Sequence, residues 1–154
     1  MKPMANMWIS TFVYSSAGVL LFTGLAKLIS AAGHAGLLLL PDPLLGVQNR
    51  WVLCGAGICE VVLGLLIMRF GTQKARLAAI AWVATNLLIY RVGLFLLGNE
   101  VHCRCLGNLT DAIGMPPATV DSIMRGLLAY LLLGSVAGLA AMFSTRGQLH
   151  HDGD

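Results

Sequence analysis

Four apolar runs, each about 20 residues long, divide this chain and leave little choice of architecture. They cover roughly residues 9–29, 51–68, 75–97 and 122–143. At about 1.5 Å per residue, a helix of that length crosses a hydrocarbon core of about 30 Å. Irregular backbone facing lipid would leave its polar groups unpaired, so each run is expected to be a helix. Composition agrees: 57% of the 154 residues are apolar and 11% charged, with a mean hydropathy of +0.79. An average soluble domain carries about 25% charged residues. The expected fold is an all-α membrane protein, an antiparallel four-transmembrane-helix bundle with interfacial segments in both outward loops. A single domain would span residues 1–146, with a flexible tail at 147–154.

The first run is longer than the apolar stretch of about 7–15 residues in a secretory signal, and Lys27 interrupts it near any cleavage site. A retained span is therefore expected. Basic residues orient the bundle. Arg69, Lys74 and Arg76 crowd the link between spans two and three, Lys2 lies at the N-terminus and Arg146 in the tail. The positive-inside rule makes these segments cytoplasmic, with both termini inside, although Arg50 and Arg104 fall on the outward side.

The two remaining connections then face outward. The first, "SAAGHAGLLLLPDPLLGVQNR", is too apolar for a plain solvated loop, and its Pro-Asp-Pro cannot continue a helix. "GLLLL" and "PLLGV" read as segments on the membrane interface or as a cover packed over the bundle. The second runs from Gly98 to about Pro117 and holds "CRCLG", followed by a short helix that Asn108 would cap and Gly114 would end. Leu106, Leu109 and Ile113 would share one face of it. Gly134 and Gly138, and the stripe of Gly57, Glu60 and Gly64, read as close helix packing.

Lys27, Glu60, Arg91 and Arg125 fall inside the spans. A charge at the bilayer centre costs about 2.5–3.5 kcal/mol, so such residues pair or line a polar cavity. Glu60 is the acid among three bases, and a Glu60–Arg91 or Glu60–Lys27 pair is the natural solution. Asn86 and Tyr90, at i and i+4 on span three, would add polar groups to the same interior. Lys27 and Arg125 lie near the outer ends and are expected to snorkel to the interface. Together Lys27, Glu60, Asn86, Tyr90, Arg91 and Arg125 form the expected polar pocket.

Cys54 and Cys59 in span two project to different faces and read as small packing residues, with Cys54 one turn from the outer surface. Cys103 and Cys105 differ. They sit in a loop, with His102 before them and Arg104 between them, surroundings that favour thiolate. A bridge between i and i+2 closes almost no loop entropy and makes a poor staple. Strained, exposed bridges are the labile or catalytic ones, which points to redox work. Metal binding is the weaker reading, because a closed zinc site needs about four ligands and this motif with His102 supplies three.

With "FTGLAKL" in the first span, Glu60 in the second and "CRCLG" after the third, the chain resembles the DoxX/MauE-like family of redox-associated bacterial membrane proteins. The matching positions are Gly24, Lys27 and Leu28, then Cys103, Cys105, Leu106 and Gly107. Arg104 stands where the family often has a small residue, and a clear second cysteine pair for a relay to quinone is lacking, so that Cys54 or a partner protein serves or the relay is absent. The resemblance implies thiol–disulfide exchange at the outer face of a bacterial inner membrane, with Cys103 and Cys105 as catalytic residues. It also implies a periplasmic thioredoxin-like or exported thiol protein as partner, and a quinone as a candidate cofactor. No nucleic-acid partner is expected. The alternative is a non-enzymatic anchor or accessory subunit of a larger respiratory or redox complex. A small transporter has less support, for want of a repeated half or a broken helix.

Overall fold

The computed structural model describes residues 2–33, 36–97 and 116–151. Four long helices account for most of them: α1 (Lys2–Ala32), α2 (Asn49–Arg69), α3 (Gln73–Leu96) and α4 (Pro117–His151). Each contains a stretch long and apolar enough to cross a membrane. The protein is a multi-pass, all-helical membrane protein, with no strand among the described residues. Every expected span lies within one of these helices, apart from Leu97, which caps the end of α3. The helices overrun the expected ends, most of all in α4, which stays helical through residues 147–151, where the sequence suggests a tail. Its 35 residues measure about 52 Å, so it extends well beyond a hydrocarbon core of about 30 Å.

The α1 helix is the centre of the bundle. Half of its span is buried, against 17–22% for the other three. Ile9, Val13, Ser16, Leu20, Thr23, Lys27 and Ser30 recur at three- and four-residue steps and form a continuous buried stripe. The molecule is built as two intimate pairs, α1 with α2 and α3 with α4, with lighter contact between the pairs.

Glycine decides how closely α1 and α2 approach. A Cβ built on Gly24 would lie 2.9 Å from the Gly57 carbonyl oxygen, and one on Gly57 would lie 2.9 Å from the Gly24 carbonyl oxygen. No side chain fits between these backbones, as in other close membrane crossings. Two turns further on, Gly64 makes room for the Leu21 side chain, 2.9 Å from where a Cβ would lie.

The two ends of the bundle differ. At one end, α2 passes into α3 through a tight link in which Gly71 has a φ of +100°, a conformation that excludes most side chains. Thr72 then caps α3 by accepting a hydrogen bond from the Ala75 N–H. Toward this end lies the apolar core, formed by Ile9, Phe12, Val13 and Leu20 of α1 with Ile67, Leu77, Ile80, Val83 and Leu131. The other end carries both long connections. In the first, a 3₁₀ turn (Gly36–Leu39) leads to a small hairpin closed by pairing between Pro41 and Gln48. Leu38 packs inward, while Leu39, Leu40, Leu45 and Val47 face outward as an apolar surface suited to a membrane interface. Arg50 braces the connection by donating to the carbonyls of Ala31 and Gly33 at the end of α1, groups the helix itself leaves unpaired.

Candidate functional site

The charged residues inside the spans collect toward the end with the long connections, where the apolar core gives out. Glu60 sits between the two close-packing glycines of α2 and is therefore pressed onto α1. There it accepts hydrogen bonds from the Lys27 ammonium at Oε1 and from the Thr23 hydroxyl at Oε2, the latter at 2.9 Å. Both charged side chains are more than nine-tenths buried.

The expectation that Lys27 snorkels outward is overturned by this contact, and helix direction supplies the reason. Side chains lean toward the N-terminus of their helix. Lys27 on α1 therefore leans away from the connection end into the bundle, while Glu60 on the antiparallel α2 leans toward it. The two meet, and Lys27 rather than Arg91 neutralises the buried acid.

Arg91 has a different partner. Its guanidinium donates to Asp121 Oδ1 at 2.6 Å, and Arg125 approaches the other oxygen of the same carboxylate, also at 2.6 Å. Asp121 lies one residue before the span expected from hydropathy, yet it falls within α4 and its side chain is only 15% exposed. The i, i+4 spacing to Arg125 was a usable signal for it. The Arg125 side chain itself is 74% exposed. Asn86 does not join the pocket. It faces outward on α3 and donates to the carbonyl of Trp82 one turn earlier.

Tyr90 turns inward, and its hydroxyl donates to the carboxylate of Asp42. Asp42 belongs to the Pro-Asp-Pro whose prolines read as helix breakers, and it is 2% exposed. Its other oxygen accepts the N–H groups of Leu44 and Leu45, each at 2.9 Å. An aspartate that begins a turn and folds back on the following backbone is a recurring motif. That reading accounts for the turn but gives no hint of Tyr90.

Between the helix pairs lies a cleft of about 60 Å³. Lys27, Glu60, Tyr90 and Arg91 line its polar part, with Thr23 beside them. Leu20, Leu87, Leu128 and Leu131, further from the connections along their helices, line its apolar part. The cleft is thus amphipathic along its length, polar toward the connection end and apolar toward the core. Four of the six residues expected in the polar pocket line it; Arg125 is linked to it by way of Asp121, which pairs with Arg91, and Asn86 is excluded.

Cys103 and Cys105, together with Leu106, Gly107 and the capped helix expected after them, lie outside the described residues. In α2, Cys54 is half-buried, whereas Cys59 is exposed on the outer face and does not pack inside the bundle. Comparison with protein-family models, with curated proteins and with solved structures finds no match for the chain.

Proposed function

We propose that the protein is a thiol–disulfide exchange protein of the bacterial inner membrane, with Cys103 and Cys105 as its reactive pair on the periplasmic side and both termini in the cytoplasm. The observation that carries this reading is the charged cleft at the end of the bundle from which the Cys-x-Cys connection springs. That connection leaves α3 a few residues after Arg91 and enters α4 a few residues before Asp121, and the Arg91–Asp121 ion pair ties its two anchors together.

In the exchange, a thiolate of a reduced thioredoxin-like or exported partner attacks one sulfur of a Cys103–Cys105 disulfide. A mixed disulfide forms as the other sulfur leaves as thiolate. The partner's second thiolate then attacks the mixed bond, and the partner departs oxidised with both electrons left on the Cys103–Cys105 dithiol. Arg104 and His102 favour the thiolate forms in which the Cys103 and Cys105 sulfurs leave at each step.

The donor set of the cleft fits a quinone head group. Lys27, Tyr90 and Arg91 offer hydrogen-bond donors, Glu60 offers a carboxylate, and the leucine walls suit an apolar tail. A quinone held there would supply an acceptor for two electrons and two protons. Lys27 and Glu60 keep their mutual charge balance, and Thr23 holds the Glu60 carboxylate in place.

Alkylation tests the reading. Membranes carrying the protein are treated with oxidant or reductant, and free thiols at 103 and 105 are counted by the mass added by a maleimide. Both thiols should be lost on oxidation, return on reduction and be restored by a reduced thioredoxin-like probe. Thiols that stay reactive after oxidation would sink the proposal. So would full exchange activity in the Cys103→Ser/Cys105→Ser double variant. A protein that co-purifies stoichiometrically with a complex and tolerates loss of both thiols would be an anchor subunit instead.

A further inference from the structure

The hairpin of the first connection meets α3 beside the cleft, and it is closely hydrogen-bonded within itself. Within residues 40–49, Asp42 N–H donates to the Val47 carbonyl at 2.7 Å, Gly46 N–H to Asp42 at 2.8 Å and Asn49 N–H to Leu40 at 3.0 Å. Gly46 supplies the one positive φ the turn demands, +67°. Asp42 adds its two side-chain bonds to Leu44 and Leu45. The unit is stiff and is joined directly to the first turn of α2.

Its covalent links run only to α1 and α2, yet it reaches across to α3 in the other helix pair at two points. The Tyr90 hydroxyl donates to Asp42. Leu44 rests on Gly93, where a Cβ would lie 3.0 Å from the leucine methyl. These positions flank Arg91, and both Tyr90 and Arg91 line the polar part of the cleft. The cleft runs between the helix pairs, and the hairpin, which lines none of it, is fastened to one pair and latched to the other beside its polar end.

We propose that residues 40–49 are a latched lid on the cleft and that Tyr90 is its catch. The Tyr90 hydroxyl faces two claims, from Asp42 and from any polar group that enters the cleft. A ligand whose head group accepts a hydrogen bond there competes with Asp42. Its arrival loosens the hairpin, and its departure lets the hairpin relatch. Asp42 is a positioning residue, acting through Tyr90. Leu44 on Gly93 is the apolar half of the latch and remains in place when the hydroxyl is engaged elsewhere. The device depends on the cleft and the hairpin alone, so it stands or falls separately from the redox reading.

The test uses the full chain with all four native cysteines replaced by Ser, in which redox activity plays no part. Met124, which lines the cleft on α4, receives a reporter thiol as Met124→Cys. Its rate of reaction with a water-soluble thiosulfonate is compared with that of Leu97→Cys, an exposed position at the end of α3. Tyr90→Phe keeps the ring and removes the catch. It is expected to raise the Met124→Cys rate by on the order of tenfold, the effect of losing one hydrogen bond to a charged group. The Leu97→Cys rate should not change. Conversely, Leu44→Cys with Gly93→Cys should cross-link on oxidation and lower the Met124→Cys rate below that of the uncross-linked protein.

An unchanged Met124→Cys rate in Tyr90→Phe overturns the lid. If Tyr90→Phe unfolds the protein, seen as a lost thermal transition, the cross-linked form decides: equal rates before and after cross-linking also overturn it.

Discussion

Lys27 and Glu60 show how little a charged residue's position in a span reveals about its fate. Each is more than nine-tenths buried, and each is tolerable only because of the other. Removing one partner of a buried pair leaves the other charge uncompensated and costs about 3–5 kcal/mol, whereas replacing both by apolar groups can be close to neutral. Glu60→Gln and Lys27→Met are therefore each expected to destabilise the protein strongly. The Lys27→Met/Glu60→Gln double variant should recover most of the loss, measured as unfolding midpoints in mixed micelles. A double variant as unstable as the sum of the singles would mean that the two residues do not depend on each other. Lys27 and Glu60 were both legible as candidates because charge in an apolar run is costly. Their pairing was not, since it follows from the opposite lean of side chains on antiparallel helices. Asp121 and Asp42 were harder to see, because an acid beside proline or at a span's edge has an ordinary local explanation.

At the scale of elements, the seam between α1 and α2 sets the site. Gly24 and Gly57 bring the backbones together, and Glu60, one turn from Gly57, is delivered to Thr23 and Lys27 by that approach. A methyl group at either glycine must push the helices apart, and overpacking of this kind costs about 1–3 kcal/mol. Gly57→Ala should lower stability by that amount and weaken the Lys27–Glu60 contact as well. Gly55→Ala, on the same helix where a Cβ meets nothing within 4 Å, should be neutral or slightly stabilising, because alanine is the better helix former. Equal losses in thermal unfolding at the two positions would show that the seam is not what holds the acid in place. The stripe of Gly57, Glu60 and Gly64 was readable from its three- and four-residue steps. That Gly24 is its counterpart was not, because many faces of α1 carry small residues and only docking selects one.

For the whole molecule, the division of the interior into an apolar half and a polar half follows from where the long connections lie. The tight turn at Gly71 lets α2 and α3 close over leucine and isoleucine, while the opposite end holds a hairpin beside a polar cleft. With four crossings, both ends of the chain emerge on one side of the membrane. Epitope tags at the two termini should therefore share one fate, cleaved together by protease in vesicles of one orientation and protected together in vesicles of the other. Cleavage of one tag alone would require an odd number of crossings.

The number of helices, their approximate limits and the expense of the charges inside them were determined by sequence alone, because hydropathy over about 20 residues and the cost of burying charge are local properties. Which charge neutralises which, why Asn86 faces outward while Tyr90 faces in, and how Asp42 comes to rest against α3 were decided by tertiary structure. Those outcomes depend on helix direction, on glycine-limited approach and on a hairpin that crosses from one helix pair to the other. None of these is a property of any segment taken by itself.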